Sequence, residues 1–473
     1  MVQYKTKKTL TIIGTILYHI GISSILSLSN ISIFLISYLR YYNRSLTPEH
    51  SLFFFPLFAI ALFLCNTIYN LLDKILKVHF IIIIGSILIE TALLIIMFCK
   101  NYYLYLLSMP ILGLGFGIGN IAATKNAMRF SATSKIIHYS LSFVSIVGKG
   151  IFTLIAFFYT NRAHHEPRDR FFFPFANCKH YINFVIFQII LIGITTLISI
   201  GMIFKETALK DVKQDYVQMI EDEDIDIDLS NSQDIITTQR EMAVIASPNF
   251  PVVQKDKNPL IVSKFIEKIE LSQVYKSFQF WRIFIINFLA TFLEQIISNT
   301  YMIFGIRNEI PITVLIIGGV SLCVFHIIGY PIVNKICNAF KFRNIMITKT
   351  IISIAYGFAF YYSVKFITFF GIAISLCGFL FSLANIPIFH HIVRVYNSKY
   401  AVIIYGYISF AESLSTVIGG IAVYFIVSIY EFNREYLYLY VYIMGMCGNA
   451  MLMILLIFEG DKEFIYNDKY NKL

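Results

Sequence analysis

Two long blocks of almost uninterrupted apolar residues, 1–204 and 277–460, are the feature that most constrains how this chain can fold. Each block is long enough to cross a lipid bilayer about six times, at about 20 residues per crossing. Because lipid offers the backbone no water, a spanning segment must be a helix or part of a closed barrel. The residue-by-residue alternation of barrel strands is absent from both blocks. The sequence therefore predicts an all-α polytopic membrane protein.

Twelve apolar runs predict twelve transmembrane helices, arranged as two pseudo-symmetric six-helix bundles. In the first block the runs cover residues 9–39, 51–71, 79–98, 103–124, 136–160 and 181–204. In the second block they cover residues 281–304, 312–334, 345–364, 367–390, 401–429 and 436–458. Loops of comparable basicity follow the second span of each block, which suggests that the two halves arose by duplication.

The composition is that of a chain dissolved mostly in lipid. Hydrophobic residues make up 57% of the chain and charged residues 14%, whereas a soluble domain is about one-quarter charged. The net charge of +10 does not indicate nucleic-acid binding, because the basic residues lie in short loops where the positive-inside rule places them. The seven cysteines are scattered and show no metal-ligand spacing, so we expect neither a metal nor a cofactor.

A polar interval, residues 205–276, separates the two apolar blocks. It contains an acidic run between Glu221 and Asp228, followed by a tail with Pro248, Pro251 and Pro259. Such a composition buries too little apolar surface to offset the entropy of ordering. We expect a flexible cytosolic linker here, an N-terminal bundle at 1–204, a C-terminal bundle at 277–460 and a cytosolic tail at 461–473.

Basic residues in the short loops predict the orientation. The loops after spans two, four, eight and ten are consistently basic, which favours cytosolic termini and a cytosolic linker, although the basic loop at 161–180 opposes this assignment. The first apolar run continues past the length of a signal peptide, so we expect it to stay as a span. The sequence does not decide between the plasma membrane and an organelle membrane.

Four stretches carry a resemblance to a known family. They are the first span with its glycines and serines at 14–40, the loop motif at 69–77, the glycine-rich fourth span at 113–120, and the eighth span with its loop at 318–343. In layout and in these motifs the chain resembles the major facilitator superfamily, specifically its oxalate/formate-antiporter-like or monocarboxylate-transporter-like branch. The chain departs from the family pattern at Tyr69 and Leu76, where the loop motif has glycines, and at Tyr330, where the family often has arginine.

The resemblance implies a secondary transporter and not an enzyme. Its two bundles would rock as rigid bodies around a central site and move a small organic anion, with a monocarboxylate such as pyruvate or lactate as the expected substrate. Proton symport or anion exchange would supply the coupling, and the protein would work in the bilayer as a monomer without a cofactor.

Glycines recur at every second position of span four, at Gly113, Gly115, Gly117 and Gly119. A phosphate-binding loop is not expected, because the run lies inside an apolar span without a preceding strand. A spacing of four residues places Gly113 with Gly117, and Gly115 with Gly119, on shared helix faces. We interpret the four glycines as positions of close helix packing.

Three ionisable residues deep in predicted spans are the main site candidates: Lys149 in span five, Glu294 in span seven and Glu412 in span eleven. A charge in the membrane is costly unless it faces water or a partner. Lys149 is therefore the leading candidate to bind an anionic substrate, although snorkelling to the surface is an alternative. Glu294 and Glu412 are candidate proton carriers or charge partners of Lys149, and simple helix-bridging hydrogen bonds are the alternative.

Further polar residues complete the candidate sites. His19, Asn120, His326 and Asn299 are additional candidates for substrate binding, since neutral imidazole both donates and accepts hydrogen bonds. Asp73, Lys74 and Lys77, at the end of span two, are candidates for a cytosolic gate, and ordinary loop charge is the alternative.

Three rival functions stay open at the level of sequence. Glu294 and Glu412 could equally hold a positive group, which would fit a carrier of a sugar, an amino acid or a cation. The departures from the family motifs would fit a transport-inactive receptor or scaffold. A membrane-embedded enzyme such as an acyltransferase is disfavoured, because DxxD and histidine-rich motifs are missing.

Overall fold

The structure, a computed structural model, describes residues 2–129, 134–161, 172–173, 179–204, 274, 276–429 and 434–458. The predicted flexible linker at 205–276 and the predicted tail at 461–473 lie almost entirely outside the described residues. The described residues of the two apolar blocks, up to 204 and from 281 onward, belong to one compact unit.

The described residues form thirteen α-helices and one short 3₁₀ helix at Pro48–Phe53. The helices of the N-terminal bundle are α1 (Val2–Leu26), α2 (Leu28–Tyr42), α3 (Phe54–Ile75), α4 (Val78–Phe98), α5 (Tyr102–Arg129), α6 (Ser134–Thr160) and α7 (Tyr181–Met202). Those of the C-terminal bundle are α8 (Phe278–Arg307), α9 (Ile312–Ala339), α10 (Phe342–Ser363), α11 (Ile367–Ile408), α12 (Phe410–Ile429) and α13 (Arg434–Phe458).

These helices give the predicted number of membrane crossings. Eleven helices are long and apolar enough to span a bilayer, and the bent pair Pro48–Leu62 and Thr67–Ile75 makes a twelfth. The fold class predicted from the sequence is confirmed. Large apolar side chains such as Leu107, Leu197 and Phe369 remain exposed on the outer surface, as expected for a protein whose surroundings are lipid.

The first predicted span is broken at Ser27, which separates α1 from α2. Three serine hydroxyls donate to backbone carbonyls three residues earlier: Ser23 to Ile20 at 2.7 Å, Ser24 to Gly21 at 2.8 Å and Ser27 to Ser24 at 2.6 Å. These bonds compete with the regular helical ladder and bend helices. A local cluster of serines thus explains why one long apolar run yields two helices.

The boundary between spans ten and eleven also differs from the sequence prediction. Helix α11 runs without interruption from Ile367 to Ile408, through the stretch predicted to be a loop. The apolar spans within this region are Ile367–Tyr396 and Ile404–Val427. Polar residues such as Asn397 and Lys399 have ordinary helix propensity, so a polar stretch does not by itself end a helix.

The two bundles meet along two helix pairs, α3 with α12 and α6 with α9. We call this contact zone the seam. The two pairs correspond to spans two and eleven and to spans five and eight, so a two-fold relation between the bundles exchanges one pair for the other. We call the end that carries residues 43–53 and 308–311 the loop end, and the end that carries residues 76–77 and 340–341 the turn end.

Helix α8 ends at the loop end in a left-handed turn at Glu309, whose φ is 58°. The Ile310 amide donates to the Gly305 carbonyl at 2.9 Å, and the Glu309 amide donates to the Ile306 carbonyl at 3.2 Å. This pattern is a Schellman cap, a position that favours glycine because a Cβ is strained there.

We predict that Glu309→Gly raises the stability of the protein by roughly 1 kcal/mol, because glycine adopts the left-handed conformation without strain. The exposed Glu309 side chain loses little on removal. Thermal unfolding in mild detergent measures the change. Asn308→Gly is the control, since Asn308 does not have a positive φ, and it should not stabilise. A lower melting temperature for Glu309→Gly would contradict the assignment of strain to this residue.

Candidate functional site

Lys149 lies near the middle of α6, on the seam between the bundles. A Cβ added to the next residue, Gly150, would lie 3.3 Å from the Cβ of Cys323 in α9. The Lys149 charge is also close enough to act electrostatically on Cys323 and His326 of the C-terminal bundle. The side chain is half-buried, and no carboxylate among the described residues forms an ion pair with it.

His326 faces Lys149 from the other side of the seam. Its ring lies between those of Phe381, at a centroid distance of 5.9 Å, and Tyr330, at 5.6 Å. The Nε2 atom is buried and has no hydrogen-bond partner within the described part of the chain. An ammonium from one bundle and an unused imidazole nitrogen from the other therefore lie close together at mid-membrane.

Glu412, in the first turn of α12, brings a carboxylate to the same seam. Its side chain interacts with Asn287 of α8 and lies near the hydroxyl of Tyr330. Tyr330 in turn reaches Ser142 of α6, which belongs to the opposite bundle. Glu412 Oε1 is buried and makes no hydrogen bond to any described residue. The seam thus carries one ammonium from the N-terminal bundle and one carboxylate from the C-terminal bundle.

Glu294 has a different environment, inside the C-terminal bundle. Its Oε1 atom lies 2.8 Å from the Nζ of Lys349 in α10, and both side chains are fully buried. Ser353 donates to the same carboxylate oxygen at 2.7 Å. Lys349 also donates to the Ala290 carbonyl and to the Asn449 side chain, the latter at 3.2 Å. Glu294 therefore pairs with Lys349 and not with Lys149, which lies on the seam.

Lys349 was not singled out by the sequence analysis, because it lies near the start of an apolar run, where a lysine ordinarily reaches the membrane surface. A weak signal for its role existed. Ser353 follows four residues later on the same helix face, and Asn449 interrupts the last apolar span. Only the packing of α8, α10 and α13 shows that these residues meet around Glu294.

The remaining substrate-binding candidates divide between the bundles. His19 Nδ1 lies 3.2 Å from Ser145 Oγ, and His19 Nε2 lies 3.1 Å from Thr124 Oγ1, so the ring joins α1, α5 and α6. Asn120 accepts a hydrogen bond of 3.4 Å from Thr124. In the C-terminal bundle, the buried Nδ2 atom of Asn299 has no partner among the described residues.

The loop end is closed by an ion pair that the sequence analysis did not predict. Arg307, at the end of α8, donates to Glu49 in the 3₁₀ helix, and their side chains are only 7% and 2% exposed. On the same 3₁₀ helix, the His50 ring contacts Tyr424 of α12 at a centroid distance of 5.6 Å. Glu49 stands in a loop in sequence, so its burial depends on contacts that only the assembled bundles provide.

The predicted gate residues lie at the turn end. Asp73 forms an ion pair with Lys125 of the same bundle at 3.6 Å, and both side chains are about one-fifth exposed. Lys74 and Lys77 are exposed. Across the seam at this end, the Asn70 amide donates to the Tyr407 hydroxyl at 2.8 Å.

The four glycines of α5 lie against neighbouring helices. Gly113 and Gly117 face α3, where a Cβ on Gly117 would lie 2.7 Å from the Cβ of Cys65. Gly115 faces α4, where a Cβ would lie 2.6 Å from the Gly85 carbonyl, and Gly119 faces the Tyr18 hydroxyl of α1. Larger residues at these positions would push the helices apart.

Comparison with known proteins identifies the fold of this chain but not its family. No protein-family model matches the sequence, and no curated protein matches it. Among solved structures, the chain is similar to the nucleoside transporter NupG, with 10% identity, a TM-score of 0.61 and coverage of 95% of this chain and 98% of that one. A mutant of NupG gives 11% identity, a TM-score of 0.57 and coverage of 93% and 99%.

The tetrameric protein PepTSo2 gives 11% identity and a TM-score of 0.60, with coverage of 95% of this chain and 97% of that one. These neighbours are transporters of the major facilitator superfamily, not enzymes. The chain therefore has the fold of a major-facilitator transporter, with twelve spans in two six-helix bundles.

We predict that Lys349→Ala destabilises the protein by about 3–5 kcal/mol, because it leaves the Glu294 carboxylate buried without its partner. The double variant Lys349→Ala with Glu294→Gln should recover part of this loss, since no buried charge remains. Melting temperature and folded yield in detergent measure both effects. Equal instability of the single and double variants would show that the two side chains do not act as a pair.

Proposed function

We propose that the protein is a secondary transporter that moves a small organic anion across the membrane by alternating access. The observation that carries this proposal is Lys149, a half-buried ammonium on the seam with no carboxylate partner among the described residues. An ammonium at this depth must reach water, an anion or ordered polar groups to be stabilised. A seam that opens alternately to the two sides supplies both water and an anion.

A monocarboxylate such as pyruvate or lactate fits a site with a single ammonium. The substrate carboxylate would accept hydrogen bonds from Lys149 Nζ and from His326, whose Nε2 atom has no partner within the described residues. His19 and Asn120 of the N-terminal bundle and Asn299 of the C-terminal bundle would contribute further polar contacts. The anion would then contact both bundles and stabilise the state in which they close around it.

Coupling would use proton symport or anion exchange. Glu412 is the candidate proton carrier, because it is a carboxyl group on the seam whose buried Oε1 atom has no described hydrogen-bond partner. Glu294 is less suited to this role, since Lys349 already compensates its charge inside the C-terminal bundle.

The described state is closed at the loop end by the Glu49 and Arg307 pair. We propose that this end faces away from the cytosol, with both termini and the linker on the cytosolic side, as the basic loops predict. Asp73, Lys74 and Lys77 would form the cytosolic gate. The ion pair between Asp73 and Lys125 would break and re-form as this gate opens and closes. The protein would work in the bilayer as a monomer.

We predict that Lys149→Ala lowers uptake of a labelled monocarboxylate by reconstituted protein at least about tenfold, because a charge-assisted hydrogen bond to the substrate is lost. Lys335→Ala, which removes an exposed lysine of α9, is the matched control and should keep wild-type uptake. A panel of labelled sugars, amino acids and organic cations tests the alternative cargoes.

Wild-type rates in Lys149→Ala would remove this residue from the substrate site. The absence of uptake of every compound by the wild-type protein would favour a receptor or scaffold over a transporter.

We predict that Glu49→Gln shifts the protein toward a state open at the loop end. It removes the carboxylate that pairs with the buried Arg307 in the closed state, and removing one member of a buried pair costs about 3–5 kcal/mol. Spin labels on exposed positions of the two bundles at this end, Tyr41 and Lys365, report the opening as a longer distance. The exchanged pair, Glu49→Arg with Arg307→Glu, should restore the closed distance. An unchanged distance distribution in Glu49→Gln would show that the pair does not hold the end closed.

A further inference from the structure

The seam presents two opposite charges, and these charges lie on different bundles. Lys149 belongs to α6 of the N-terminal bundle, and Glu412 belongs to α12 of the C-terminal bundle. Neither forms an ion pair with the other or with any other described residue. A charged carboxylate near a bound simple anion would repel it, so a negative charge on Glu412 favours a ligand that also carries a positive or hydrogen-bond-donating group.

The spacing of the two charges follows from the helices that hold them. Lys149 lies near His326, and Glu412 lies near Tyr330, which follows His326 by one turn of α9. Four residues of helix correspond to about 6 Å along the axis. On α6, Ser142 lies near Tyr330 and precedes Lys149 by two turns. The level of Tyr330 and the level of His326 are therefore separated along α6 as they are along α9. Since the His326 and Tyr330 rings are themselves 5.6 Å apart, the two charged groups lie at different levels of the seam, about one turn of α9 apart.

Buried atoms without a described hydrogen-bond partner lie near each of the two charges. Near Lys149, the His326 ring offers a free Nε2. Toward Glu412, the atoms without a described partner are acceptors, Glu412 Oε1 and Asn287 Oδ1, both buried. Buried acceptors without donors are costly, so a ligand that brings a donor gains more affinity here than it would in water.

We propose that the substrate is a bipolar small acid: its carboxylate binds Lys149 and His326, while an ammonium or hydroxyl group at the other end of its carbon chain donates to Glu412. This inference rests on the proposed function and narrows its substrate class. Because the two poles are held by different bundles, the ligand connects the bundles when it binds.

The test uses four-carbon acids that differ only in the group they carry: butyrate, 4-hydroxybutyrate, 4-aminobutyrate and 2-aminobutyrate. Affinities for purified protein in detergent are measured from ligand-dependent thermal shifts, and uptake is then measured in proteoliposomes. We expect 4-aminobutyrate or 4-hydroxybutyrate to bind at least about tenfold more tightly than butyrate, because a charged or buried hydrogen bond is added. The 4-amino acid should also bind more tightly than its 2-amino isomer, whose two groups are too close together to reach both poles.

Two variants test which residue binds each end of the ligand. Glu412→Gln should remove the advantage of the 4-substituted acids over butyrate, whereas Lys149→Met should weaken all four acids. Glu90→Gln is the matched control, because Glu90 is a half-buried carboxylate of α4 beside Gly193 of α7, away from the seam. It should leave all four affinities unchanged.

The outcomes separate this inference from the proposed function. Equal binding of butyrate and the 4-substituted acids, or an advantage that survives in Glu412→Gln, overturns the bipolar substrate and leaves the anion transporter intact. Failure of all four acids to bind, together with failure of pyruvate and lactate, overturns both. If Glu412→Gln does not fold, the comparison of the 4-amino and 2-amino acids on wild-type protein still decides between the two results.

Discussion

The cost of placing a charge in lipid organises this structure more than any other interaction. An ionised side chain inside a membrane must pair with another charge, bind ordered polar groups or reach water. The chain uses these solutions in different places. Glu294 and Lys349 compensate each other inside one bundle, where Ser353 also donates to Glu294 Oε1 and Lys349 donates to Asn449. Lys149 and Glu412 have no such partner among the described residues and lie where the bundles meet.

In the proposed transport cycle, this division would separate permanent from temporary contacts. A pair within one bundle would stay intact when the bundles move and so contribute to the fold in every state. A group on the seam would change its surroundings whenever the bundles separate, so a fixed partner there would have to be broken each time. Charges left without partners on a moving surface are suited to a ligand that arrives and leaves.

The two ends of the seam are closed by interactions of different strength. At the loop end, the Glu49 and Arg307 pair is buried and is supported by the contact of His50 with Tyr424. At the turn end, the bundles are joined by the hydrogen bond between Asn70 and Tyr407, while Asp73 pairs within its own bundle and stays partly exposed. Opening the loop end therefore requires desolvated charges to separate. Among the described contacts at the turn end, opening breaks the neutral hydrogen bond between Asn70 and Tyr407, and such a bond is worth about 0.5–1.5 kcal/mol.

The sequence was enough to predict which segments lie in lipid and which in water. It was not enough to predict which residue pairs with each buried charge. Apolar runs predicted the number of spans and the two-bundle fold, because burial in lipid is a local property of composition. The break at Ser27 also had a local cause in the serines around it. Lys149 and Lys349, by contrast, are both single lysines in apolar runs, and only the assembled helices show that one is paired and the other is not. Glu49 is a loop residue in sequence, and its burial depends on Arg307, more than two hundred and fifty residues away along the chain.

The packing of backbone against backbone indicates where motion can occur. Within the N-terminal bundle, Gly113 lies against the Phe58 carbonyl and Gly115 against the Gly85 carbonyl. Within the C-terminal bundle, Gly378 lies against the Leu322 carbonyl and the His326 amide. Helices in such contact cannot slide without a clash, since close packing leaves no room for intermediate positions. Across the seam, the approach of Gly150 to Cys323 involves a side chain, and side chains can change rotamer as surfaces part. Each bundle is therefore stiff, which is the mechanical condition for rigid-body rocking in the proposed transport cycle.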